Sequence, residues 1–296
     1  MTFYHFYAII IFVTTCGKTV ADAIEKIVTE LGLDKDGAQR VIEHGDELVV
    51  NIGEVALRTL SDLSVTDKYK DEEVKSSYDY LSGYKKPKGI TEQTNILRQL
   101  FPGVGNACEK LALRSVPKNA DAGWFAIPKW QSLAPTYGEA VQLVLNKLKE
   151  TRNGAFYNYR EGELGPDQLR QSAKTASVFQ KLAEEQDGFD ILVVAAQFGL
   201  RHRGRSVRRV REILLGNEFG LGAFAIGIML LTHPERLNHH DDLWIDCAGD
   251  EFAPGADGEF WDAPVFDFRG GKLKFDAGVV SNAHEYYGSV SGFLPL

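Results

Sequence analysis

Cysteine is scarce in this chain, and the three present, Cys16, Cys108 and Cys247, lie far apart with no CxxC pair. So few, so dispersed, they supply neither a disulfide framework nor the paired thiolates of a structural zinc site, and a reducing cytoplasm is the expected compartment. Positive charge is in short supply too. With 33 Lys and Arg against 41 Asp and Glu, the formal charge is −8, which excludes a whole-surface nucleic-acid binder and leaves only local contacts with polyanions. No apolar run is long enough to span a bilayer. The stretch Phe3 to Val13 has only the length of a signal-peptide core, no Lys or Arg precedes it, and Val13-Thr14-Thr15 is bulkier than a cleavage site prefers. It reads as a first strand or an apolar leader, with export as the alternative.

Several nucleotide signatures are present only in part. Cys16-Gly17-Lys18-Thr19 leads into an amphipathic helix over Val20 to Leu31, the context of a phosphate-binding loop, but Phe12 stands where that loop needs its other glycine. Asp246 to Gly249 has the form of an Asp-x-x-Gly switch without a base-reading Asn-Lys-x-Asp after it, and Gly220-Leu221-Gly222 lacks the third glycine of a dinucleotide fingerprint. Neither a Ser-His-Asp nor a Cys-His arrangement can be recognised.

What is there is an ordinary globular composition, 44% apolar and 25% charged over 296 residues, enough for one large core or two smaller ones. The expected organisation is an apolar leader or first strand at 1–19, a helical N-terminal region at 20–60, a polar linker or loop at 61–89 and a mixed α/β domain over 90–296. The helices at 20–31 and 34–44 carry too many acids for a major-groove reader and suit a docking or core hairpin. Helices are expected over Thr91 to Leu100, Tyr137 to Thr151, Gly165 to Gly188, Ser206 to Leu215 and, buried and uncharged, Phe219 to Thr232. Strands are expected at 123–130, as an edge interrupted by Pro128, and at 155–160, 189–196 and 243–247. Pro264 to Phe268 and Lys272 to Phe275, joined through Arg269-Gly270-Gly271, spell a hairpin. The fold class is α/β or α+β, a mixed sheet with flanking helices and a C-terminal β-hairpin, preceded by a small helical region.

One segment stands against the acidic background. Arg201, Arg203, Arg205, Arg208, Arg209 and Arg211 place six guanidinium groups in eleven residues, with His202 among them. They follow a buried strand, and Ser206 caps the next helix, whose first turn offers free N–H groups to an anion. If 201–205 is extended, Arg201, Arg203 and Arg205 point to one side. Arginine suits bidentate oxyanion contacts, so Arg201, His202, Arg203, Arg205, Arg208 and Arg209 form a candidate site for a phosphate-bearing ligand, most readily nucleic acid. His202 is then a candidate acid or base, and Trp124, Trp130, Tyr157 and Tyr159 are candidate base stackers or core residues.

The rival reading spends the charge internally. Asp241, Asp242, Asp246, Asp250, Glu251, Asp257, Glu259 and Asp262 supply enough carboxylates to pair every arginine, making a structural or protein-interaction protein. A third reading uses no organic cofactor but a divalent metal. His239 and His240 with the acids after them offer imidazole and oxygen donors, and Asp246, Asp250 and Glu251 are the candidate ligands for metal-assisted phosphodiester hydrolysis.

Overall fold

The computed structural model describes residues 67–116, 122–255 and 258–294. The chain divides into two units, Met1–Val55 and Ala56–Leu296, and every described residue falls in the second. The apolar leader, the Gly-Lys-Thr sequence and the two acidic helices therefore lie outside the described residues.

Five α-helices are described: α1 (Ile90–Leu100), α2 (Tyr137–Thr151), α3 (Ala173–Glu185), α4 (Val207–Ile213) and α5 (Ala223–Thr232). Their starts follow from local chemistry. Thr136 and Glu139 form a reciprocal capping box at α2, while the Ser172 and Ser206 hydroxyls accept from the Thr175 and Arg209 N–H groups at α3 and α4. The strands are β1 (Gly123–Pro128), β2 (Phe156–Asn158), β3 (Leu169–Gln171), β4 (Ile191–Gln197), β5 (Glu218–Gly220), β6 (Trp244–Asp246), β7 (Asp250–Phe252), β8 (Asp262–Arg269), β9 (Lys272–Val279), β10 (Tyr287–Ser289) and β11 (Ser291–Phe293).

They build two sheets, giving an α+β fold. One is antiparallel, in the order β1-β4-β11-β5, so β1 with its Pro128 is indeed an edge and β4, apolar up to its last residue Gln197, is buried throughout. The other is mixed, β10-β6-β8-β7-β3 with β9 on β8 and β2 on β9. Its backbone is the β8–β9 hairpin, whose two-residue turn uses Gly270 and Gly271 at φ 61 and 73, the left-handed pair a tight hairpin demands. The second sheet mixes parallel and antiparallel pairs, β10 running parallel to β6 and β2 parallel to β9.

Two expected helices are shorter than the spacing implied. Leu169 to Gln171 is a strand paired with β7, and α3 starts only at Ala173. Glu218 to Gly220 is likewise a strand paired with β11, and the uncharged helix α5 begins at Ala223. All ten residues of α5 are buried. It lies against α2, where a Cβ on Gly227 would stand 2.5 Å from Val144 Cγ1, so only glycine permits that approach. No helix among the described residues is long and apolar enough to cross a membrane.

The polar stretch from 67 onward belongs to this second unit. It carries one short 3-10 turn, Lys70–Glu72, and is otherwise irregular, yet it pairs by isolated bridges, Glu73 with Arg205 and Asp79 with Asp242.

Candidate functional site

Four of the six arginines meet acids, but not the expected ones. Arg208 forms a forked pair with Glu72 through Nε (2.8 Å) and Nη2, and the Ser206 hydroxyl donates to the same carboxylate at 2.6 Å. Arg209, which is 3% exposed, donates to Glu73 at 2.6 Å and to the Lys68 carbonyl at 2.9 Å. Arg205 donates to the other oxygen of Glu73 at 3.2 Å and to the Arg201 carbonyl. Arg203 reaches the Tyr78 carbonyl at 2.8 Å. Arg201 and His202 both converge on Glu218, His202 through Nε2 at 2.7 Å. Arg211 turns the other way, to the carbonyls of Ala248 and Asp250. The acids responsible sit in the triplet Asp71-Glu72-Glu73 and on β5. The signal in the sequence was the acidic triplet inside the polar stretch.

Backbone geometry explains the convergence. Leu200 to His202 is a 3-10 turn entered through Gly199, and Gly204 has φ 74. Arg201, Arg203 and Arg205 therefore do not form one extended row, contrary to the alternation expected of them. A Cβ on Gly204 would sit 2.2 Å from the Val74 carbonyl oxygen; the loop and the strap at 72–76 touch backbone to backbone, with Val74 N–H donating to Gly204. The electrostatics agree. The bond from Arg208 holds the Glu72 carboxyl below its usual range. Burial pushes Glu73 up, but bonds from Arg209 and Arg205 outweigh it and leave the group lowered. Burial acts the same way on Glu218, and His202, Arg201 and Ser291 together overcome it, bringing the carboxyl to about 2.

The strap continues past this point. Asp242, fully buried, accepts from the Leu81 and Ser82 N–H groups and the Ser82 hydroxyl on one side and from the Asn238 and His239 N–H groups on the other. Arg236, with no exposed surface, donates to the carbonyls of Phe198 and Leu243 and lies 4.0 Å over the Tyr80 ring. His233 Nε2 accepts from the Lys88 N–H, which puts the ring proton on Nδ1 facing the Met229 carbonyl. Burial, reinforced by the nearby Lys88, lowers His233 to about 4.

The candidate metal ligands are scattered in use. Both oxygens of Asp250 accept from the Tyr137 hydroxyl, at 2.8 and 2.9 Å, and one also takes the Ala223 N–H at the start of α5. Glu251 pairs with Arg170 at 2.7 Å. Asp246 has Arg211 as its charged neighbour, and burial pushes it, like Asp250, up to about 7. Tyr137 is pushed well above its usual value by burial and by Asp250. Among the described residues, the trio of His, Cys, Asp or Glu whose ligand atoms come together is instead His239, His240 and Asp241.

Near the Tyr137–Asp250 pair is a cavity of about 340 Å³, walled by Trp130, Phe179, Leu192 and Phe224, with Lys129 and Gln171 among its polar groups. The Trp130 ring packs edge-on against Tyr137, and Gln171 is the β-partner of Asp250. Trp130 thus lines a cavity. Trp124 packs against the core, and Tyr157 and Tyr159 are exposed and contact each other. Comparison with known proteins finds no matching family model, no matching curated protein and no matching solved structure.

Proposed function

We propose that the described body is a structural or protein-interaction unit whose arginine cluster is spent internally, in part as a clamp that fastens residues 68–78 to α4 and the loop before it. The supporting observation is that all six guanidinium groups donate to acceptors of the same chain. A phosphate would have to displace Glu72, Glu73 or Glu218 to reach Arg201, Arg205, Arg208 and Arg209, exchanging one anion for another at a desolvation cost, and would compete with backbone carbonyls for Arg203 and Arg211. Metal-assisted hydrolysis at Asp246, Asp250 and Glu251 has less support, since Tyr137, Ala223 and Arg170 already engage two of the three carboxylates.

The test is fluorescence anisotropy with labelled single-stranded and duplex oligonucleotides across a salt series. Clamped arginines give no binding whose salt slope depends on Arg203 and Arg205. Salt-dependent binding that weakens in Arg203→Ala/Arg205→Ala would restore nucleic acid as the ligand.

A second reading rests on the cavity beside Tyr137. Its volume falls in the lower part of the range of small-molecule sites, and its aromatic walls with a few polar groups have the usual make-up of one. A flat ligand bearing hydrogen-bonding groups would stack on Trp130, and screening such compounds by thermal shift, with Trp130→Ala as control, checks it.

A further inference from the structure

The loop after Pro234–Arg236 carries three metal-binding side chains in succession, His239, His240 and Asp241, and their ligand atoms lie within 4.8 Å of one another. His240 Nε2 is 3.2 Å from Asp241 Oδ1, and His239 Nδ1 is 3.5 Å from Asp241 Oδ2. Ligands about 2.0–2.1 Å from a tetrahedral zinc ion stand about 3.3–3.4 Å apart, a separation each imidazole nitrogen matches to within about 0.2 Å with a different oxygen of the Asp241 carboxylate. The donor set also selects the metal: imidazole suits zinc and its neighbours, whereas calcium and magnesium take oxygen ligands.

The loop is held for this purpose by bonds outside the trio. The buried Asp242 carboxylate accepts the Asn238 and His239 N–H groups at 2.8 Å each, and the Trp244 indole donates to the His240 carbonyl at 3.2 Å. The imidazoles pack against each other with ring centroids 4.2 Å apart. All three side chains retain half or more of their exposure, 52%, 66% and 50%, so an ion reaches them from solvent without any rearrangement of the core. An ion must replace the Asp241 N–H bond to His239 Nδ1, at 3.2 Å, and the direct contacts of the two imidazoles with the Asp241 carboxylate.

We propose that His239, His240 and Asp241 form a surface site for a zinc-class divalent ion, with two imidazoles and one carboxylate as ligands and the fourth position open to water. This does not depend on the clamp or on the cavity.

Titration of the full chain with zinc chloride in a calorimeter, free of chelating buffer, is the test. One strong site is expected, its affinity falling tenfold or more in His240→Ala and disappearing in His239→Ala/His240→Ala. Cobalt in place of zinc should give the intense visible absorption of a tetrahedral complex, and this should be lost in the same variants. These side chains are exposed, so the variants keep their fold. An absence of strong zinc binding, or binding that the double variant leaves unchanged, would overturn the proposal.

Discussion

Arg208 and Arg209 are adjacent in sequence and both pair with glutamates of the same strap, yet they differ in what solvent does to the pair. The Arg208 side chain keeps 39% of its exposure, Arg209 only 4%. Exposed pairs contribute little because water screens them and the side chains must be ordered. Removing one partner of a buried pair strands the other and breaks charge-assisted bonds. Arg209→Ala should therefore cost about 2 kcal/mol, since it breaks a charge-assisted bond at a buried site while Arg205 still holds Glu73, and Arg208→Ala clearly less, measured by urea denaturation. Equal costs would mean that burial does not set the strength of the clamp. Glu218 is the most exacting residue of the group, being fully buried with Arg201, His202 and Ser291 all on its carboxylate. Glu218→Gln keeps the shape and removes the charge, and should destabilise more than Arg209→Ala. The His202 Nδ1 and Ser289 Oγ atoms close by are buried with no partner among the described residues, so this interior is already polar and leaves little room for further loss.

Elements show the same dependence on close fitting. Gly222 caps α5, and a Cβ there would stand 2.0 Å from Asp250 Oδ1 and 2.6 Å from the Tyr137 hydroxyl oxygen. Gly222→Ala should push the carboxylate off the Ala223 N–H and cost about 1–3 kcal/mol as overpacking, seen as a lower thermal midpoint; a neutral result would place Asp250 elsewhere. The long elements were legible in the sequence where a cap and a period agreed. Tyr137–Thr151 has both its capping box and its buried face of Val141, Val144, Leu145 and Leu148, and the glycine pair after Arg269 announced the β8–β9 hairpin. Three-residue strands were not legible. Leu169 is buried, and its spacing to Ala173 and Ala176 mimics a continuous helix, although Ser172 starts that helix afresh and its buried face is Thr175, Val178 and Leu182, with Ala173 and Ala176 exposed. Phe219 misleads in the same way before α5. A period needs several repeats, and a strand of three residues completes barely one.

For the molecule as a whole, the pairing partners were the least legible feature. Arg208 and Arg209 bind acids 136 residues earlier in the chain, and composition alone made the nearer acids after Asp241 equally suitable. Those nearer acids do something else, and pH exposes it. Burial raises Asp246 and Asp250 from 3.8 to about 7. The folded state thus binds protons more tightly than the unfolded chain between those values, and stability grows as pH falls from above about 7. His233 opposes this. Lowered from 6.5 to about 4, it contributes stability that is present above 6.5 and lost as pH falls toward 4. Glu218, lowered to about 2, contributes stability above its usual 4.5 that is lost below it. Between about pH 8 and about pH 6.5 proton uptake by the two aspartates outweighs the onset of His233 titration in the unfolded chain, so the urea midpoint should be higher at the lower pH, and acid unfolding should set in only below about pH 5. Asp246 isolates the cause, because its main influences are burial and the neighbouring Arg211, without the hydrogen bonds that hold Asp250. Asp246→Asn should raise stability at about pH 8 and shrink the difference between the two conditions. If the variant keeps the full difference, the titrating group is not Asp246, and Asp250 with its Tyr137 hydroxyl must carry the whole effect.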